Sequence, residues 1–235
     1  MNTHPRNHPA LAPIIKTTLF LFLALLPTAK SFATAQYPDI LIYEGKEFSL
    51  HTNPLEELFS KNEDKRPKGD VTSTALWRGY VAKFEIKDGW LFAKEVNVKI
   101  VLDREAREYE RKYGWKNVIA DVFKTEKDKR LDWFSGLLIL PHGALINYVH
   151  MGYASTYENY ILLEIDKGKL VKEKKLFGEA YSIFKKKQFE LFKKTDEYKK
   201  QVKELTKDGR KPEDVERFLE IFVIEYSKRI LTESD

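Results

Sequence analysis

The tripeptide Lys87-Asp88-Gly89 lies between two runs, residues 75–86 and 90–101, in which apolar and polar side chains alternate. A two-residue Asp-Gly turn needs positive φ, which Gly accepts without steric cost, and it joins strands that run antiparallel. Alternation at period two buries one strand face and leaves the other in water. This hairpin commits the centre of the chain to an antiparallel sheet. The same signals predict an opening hairpin, residues 40–43 and 46–50 about Glu44-Gly45. A second comprises residues 133–140 and 144–150 about Pro141-His142-Gly143, and a third residues 159–165 and 169–174 about Lys167-Gly168. Between them the sequence predicts a helical turn over 54–60, a solvated loop over 61–70, an exposed helix over 103–112 and a strand over 118–123.

Near residue 176 the period changes. Tyr181, Phe184, Leu191, Tyr198, Val202 and Leu205 recur at helical steps, interrupted by Gln188 and Thr195, up to a stop at Asp208-Gly209. Pro212 opens a second helix with Val215, Leu219, Phe222, Tyr226 and Ile230 on one face. Two amphipathic helices must cover something, most simply a sheet face. The expectation is an α+β fold, with antiparallel β-hairpins forming a sheet covered by a C-terminal helical hairpin. It forms one domain over 36–235, mainly β to residue 176 and helical from 177.

Residues 1–35 have the layout of a secretory signal peptide: Arg6 and Lys16 without acidic residues, an apolar core over 19–26, then Ala33-Thr34-Ala35. The core is far shorter than the roughly 20 residues of a spanning helix. Cleavage after Ala35 makes the mature protein exported, periplasmic or secreted, with no transmembrane segment. The whole chain carries 41 basic and 36 acidic residues, a net +5. Without Arg6, Lys16 and Lys30 the balance is 38 to 36, so nucleic acid is not an expected partner. There is no cysteine, which excludes thiolate catalysis, disulfides and thiolate metal sites.

His51, His142 and His150 are the histidines of the mature chain, and their spacing fits no metal motif, so no metal or other cofactor is expected. Gly-rich phosphate loops and the Gly-x-Ser-x-Gly elbow are also missing from the sequence. Two polar-aromatic segments remain. In the first, Trp77 and Tyr80 offer stacking faces and Arg78 a planar cation for an anion. In the second, His150 is a base near neutral pH, with Tyr153 and Tyr157 able to orient a substrate. The bland alternative makes Trp77 and Tyr80 packing anchors, pairs Arg78 with Glu85 or Glu95, and makes His150 to Gly152 a bulged strand end. Eight lysines between Lys167 and Lys187 form a basic stretch, read as a lysine-blunted sheet edge or a contact for an anionic envelope polymer.

The run from Trp77-Arg78-Gly79-Tyr80 to Phe84-Glu85-Ile86, with His150-Met151-Gly152-Tyr153 and Ser155-Thr156-Tyr157, resembles exported or cytosolic bacterial proteins grouped as families of unknown function. The resemblance implies a bacterial source and no particular activity. The leading expectation is a non-catalytic exported binding or interaction protein, such as an inhibitor or immunity-type partner of another envelope protein. The alternative is an envelope hydrolase or transferase in which Arg78 holds an anionic substrate, His150 acts as base and Tyr153 as acid.

Signal peptidase requires a small residue at the cleavage position, so Ala35→Glu should block processing and leave the precursor at 27.6 kDa. The wild type should start at Gln36 and be lighter by roughly 4 kDa. Intact mass of envelope-fraction protein checks both; a full-length wild-type mass would refute the leader.

Overall fold

Leu137-Leu138-Ile139-Leu140 and Tyr160-Ile161-Leu162-Leu163 are unbroken apolar runs, and strands of this kind need cover on both faces. The computed structural model, which describes residues 35–150, 152–207 and 209–233, gives them that cover. The expected leader lies outside the described residues.

The elements in chain order are β1 (Asp39–Tyr43), β2 (Lys46–Leu50), α1 (Leu55–Lys61), β3 (Tyr80–Lys87), β4 (Trp90–Val101), β5 (Tyr113–Asn117) and α2 (Ile119–Val122). There follow β6 (Gly136–Asn147), β7 (Thr156–Asp166), β8 (Lys169–Phe177), α3 (Gly178–Phe192), α4 (Asp196–Thr206), α5 (Pro212–Ile221) and α6 (Val223–Ser227). The strands form one open mixed sheet in the order β2-β1-β3-β4-β8-β7-β6, with β5 added to β4. Together with the C-terminal helices this is the expected α+β fold. Every pairing is antiparallel except β1 with β3.

The sheet curls until its two ends meet. Beyond β2, the His51 amide donates to the Ile139 carbonyl at 2.9 Å, and the Thr52 hydroxyl bonds both Leu137 O and Ile139 N at 3.1 Å. Leu41, Phe59, Phe84, Val96, Leu138 and Leu163 fill the interior. On the outer face of β6 and β7, Leu137, Ile139, Tyr160 and Leu162 pack against Phe189, Phe192, Leu219 and Val223 of the helices. Alternate residues of the same two strands therefore face two cores.

Several local expectations are corrected. Pro141-His142-Gly143 is no turn: β6 runs straight through it, buried before and exposed after, with an irregular register against β7 beyond His142. Proline lacks a ladder donor and Gly143 takes φ +80°, so these residues make a bulge in place of a reversal. The hairpin partner of β6 is β7, through the loop over 148–155. Only a short 3-10 turn, Glu108–Glu110, forms where an exposed helix was expected over 103–112, since that segment has no apolar face to dock. Residues 119–122 are helical where a strand was expected. Each expected C-terminal helix is divided: Thr195 ends the first by capping α4, its hydroxyl accepting from Tyr198 N, and Phe222 separates α5 from α6.

Among the described residues β8 pairs with β4 at Lys169 and otherwise with β7; of the lysine stretch, Lys169, Lys172, Lys174 and Lys175 lie on β8 and Lys185 to Lys187 on α3. Lys172, Lys175 and Lys187 pair with Glu164, Glu173 and Glu233.

Arg78 precedes β3 and is 2% exposed. Its guanidinium meets Asp39 of β1 at 3.1 Å, the carbonyl of Tyr37 at 2.7 Å, and Asn53 in the β2–α1 loop. Asp39 also accepts from the Ala82 amide of β3 at 2.8 Å, which anchors the parallel pairing. Burial pushes the Asp39 carboxyl up to about 6, against the pull of Arg78 and the Ala82 amide. Asp39→Ala should cost about 3–5 kcal/mol in urea unfolding, because it strands a buried cation. Adding Arg78→Met should recover part of that loss; a double variant as unstable as the sum of the singles would refute the pairing.

Candidate functional site

The loop joining β6 to β7 returns over the seam where the sheet closes. At its centre the Tyr153 hydroxyl donates to Asn53 Oδ1 at 2.9 Å, so the loop is fastened to the Arg78 cluster. The Tyr153 ring stacks on the His51 imidazole, with centroids 4.6 Å apart and planes 17° apart. His51 meets Tyr157 edge-on at 5.6 Å, Tyr157 meets Tyr160 at 6.4 Å, and Tyr160 stacks on Tyr181 of α3 at 3.9 Å. Five rings thus form a continuous wall from the sheet seam to the helical layer.

Beside this wall is a cavity of about 340 Å³, in the size range of small-ligand sites. His51, Asn53, Ile139 and residues 152–156 line it from the sheet side. Tyr181, Ser182 and Lys185 of α3 line it from the helices, with residues 221, 222, 224 and 225 at the α5–α6 junction. Gln36 lines it too, where an isolated bridge joins Ala35 to Gly152.

Electrostatically the site is uneven. Burial pulls His51 down to about 4, so its ring is neutral at ordinary pH. Burial holds the Tyr153 and Tyr181 hydroxyls above their usual range, and the Glu225 charge adds to this. Glu225 retains contact with water, yet the protein crowded about it pushes its carboxyl up to about 7. Burial lowers the half-buried Lys185, whose Nζ lies 5.3 Å from the Tyr181 ring centroid.

The six residues singled out from sequence divide. Tyr153 and Tyr157 belong to the aromatic wall, and Tyr153 alone of the six lines the cavity. Arg78 touches the site through Asn53 but is engaged by Asp39, Asn53 and Tyr37, not by Glu85 or Glu95. Tyr80 is buried and donates to Glu56 at 2.8 Å. Trp77 is 59% exposed. His150 is exposed, its Nδ1 2.8 Å from the Tyr148 hydroxyl, and no described contact joins it to Arg78. Sequence reading missed His51 as a site residue, together with Asn53, Tyr181, Lys185 and Glu225. The one local signal was His51 itself, a polar ring where β2 runs out.

Among the described residues no group of His, Cys, Asp and Glu is arranged to hold a metal ion, and no helix is long and apolar enough to cross a membrane. Comparison with protein-family models, curated proteins and solved structures returns no match.

The His51 shift has a defined sign. Its pKa is about 6.5 unfolded and about 4 folded, so the unfolded chain takes the proton first. Its contribution to stability is complete above about pH 6.5 and is lost as pH falls toward 4, on the order of 3 kcal/mol in all. His51→Phe keeps an aromatic ring and removes the titration. Unfolding free energies across this window should move in favour of the variant as pH falls; a difference that stays constant with pH would show that His51 takes up its proton equally in the folded and unfolded chain and would refute the shift.

Proposed function

We propose that this chain is a non-catalytic binding protein that takes a small amphipathic ligand in the cavity between the β6–β7 loop and the C-terminal helices. The observation that carries the reading is the continuous wall of five rings beside a cavity of about 340 Å³. Aromatic faces supply apolar contact, and the polar groups between them fix orientation. Catalysis finds less support. His51, the histidine in the cavity, is stacked between tyrosines and too weak a base for general-base work near neutral pH. The Arg78 guanidinium is buried and held by Asp39, Asn53 and Tyr37.

The leader motif supports placing this binding function in an exported compartment. A small-ligand site accounts for the geometry better than a protein-docking face does, because the exposed aromatics are dispersed. Tyr37, Tyr113 and Trp115 gather near Lys99 on the β4–β5 side, while Tyr148 stands beyond the end of β6.

Ala154 lies exposed at the cavity. Ala154→Trp should obstruct the cavity at little cost to the fold. In a thermal-shift screen of amphipathic small molecules, at least one should stabilise the wild type by about 2–4 °C per kcal/mol of linkage. The same compound should leave Ala154→Trp unmoved. Equal stabilisation of both proteins, or none of the wild type, would refute the reading.

A further inference from the structure

Two charged side chains of opposite sign line this cavity from different helices. Lys185 stands one turn after Tyr181 on α3, and Glu225 lies in the first turn of α6. Neither has an ion-pair partner among the described residues, and they do not pair with each other. On the same helix Lys187 does find a carboxylate, that of Glu233. Two opposite charges that line one cavity without a counter-ion from the protein are both open to a ligand.

The same cavity is also lined by apolar and aromatic surfaces, among them Ile139, Ile224 and the rings of Tyr153 and Tyr181. A ligand that completes the site needs an anionic group for Lys185, a cationic group for Glu225 and an apolar body. Tyr153, Tyr181 and Glu225 line the same cavity, and aromatic faces attract cations as a carboxylate does. An anion alone would leave Glu225 unpaired, and a cation alone would leave Lys185 so.

We propose that the cavity binds a free α-amino acid with an apolar or aromatic side chain, its carboxylate on Lys185 and its ammonium on Glu225. This rests on the cavity being a ligand site at all. The pairing has a directional consequence: the ligand spans from α3 to α6, so binding should tie the two helices together across the cavity mouth.

The test is calorimetric titration of the wild type with L-leucine and L-phenylalanine. The companions are the N-acetyl derivatives, which lack the cation, and the amides, which lack the anion. The amino acids should bind, and each derivative should bind about tenfold or more weakly, as expected when a charged hydrogen-bond partner is removed. Glu225→Gln should weaken the amino acid and abolish the penalty for N-acetylation. Lys185→Gln should weaken it and abolish the penalty for amidation. The derivative series on the wild type stands by itself if either variant folds poorly. Binding of the amphipathic anionic dye 1-anilinonaphthalene-8-sulfonate without any amino acid would overturn the zwitterion and leave the cavity reading intact. Derivatives as good as the amino acids would also overturn the zwitterion. Failure of dye, amino acids and derivatives alike would overturn both.

Discussion

The buried contact between Arg78 and Asp39 is the point at which most of the separate pieces of this chain meet. A desolvated guanidinium and carboxylate are tolerable only when nearly all their hydrogen-bonding capacity is met, and the structure meets it from several segments. Asp39 brings β1 and, through Ala82, β3; Tyr37 brings the segment before β1; Asn53 brings the loop after β2. Tyr153 then attaches the β6–β7 loop to Asn53. Take away the pair and the parallel β1–β3 contact loses its buried anchor, and the wall of rings loses its foundation. The cluster sets where the rings beside the cavity stand.

Much of the fold was legible because local chemistry and tertiary outcome agree. The turns at Glu44-Gly45, Asp88-Gly89 and Lys167-Gly168 all reverse the chain as their residues require, each placing both turn residues at positive φ. The change from period two to helical period falls at Phe177, where β8 gives way to α3. The failures are of another kind. Pro141-His142-Gly143 has turn composition, yet the apolar run before it is paired along its length with β7, and the reversal waits for the loop after Asn147. The charged segment over 103–112 has helix-forming residues and no apolar face, and propensity alone does not hold a helix in water. The parallel pairing of β1 and β3 depends on Asp39, whose role no local pattern reveals.

The site was less legible than the fold for a plain geometric reason. Its residues come from the end of β2, the middle of β6, the β6–β7 loop, α3 and α6, which adjoin only after the sheet has curled and the helices have docked. Tyr153 and Tyr157 were visible because they cluster in sequence. Lys185 looked like one more member of a lysine-rich stretch, and Glu225 like an ordinary polar position on an amphipathic helix. What distinguishes them is that both line one cavity, and that is a property of the packed molecule. His51 likewise changes character on burial, from a titratable histidine to a neutral aromatic plate between two tyrosines.

That β6 and β7 present alternate residues to two cores bears on how the chain acquires its structure. A strand pair apolar on both sides cannot rest with one side wet, so the sheet interior and the helical layer have little independent existence. Each becomes stable only as the other closes on the shared strands. The helical layer is made of the last residues of the chain, beyond Phe177, and lies far in sequence from β1 and β2. A nascent polypeptide therefore holds its outer β6–β7 surface uncovered until the segment after Phe177 has emerged. Over that interval the molecule is most exposed to aggregation and has most use for a chaperone.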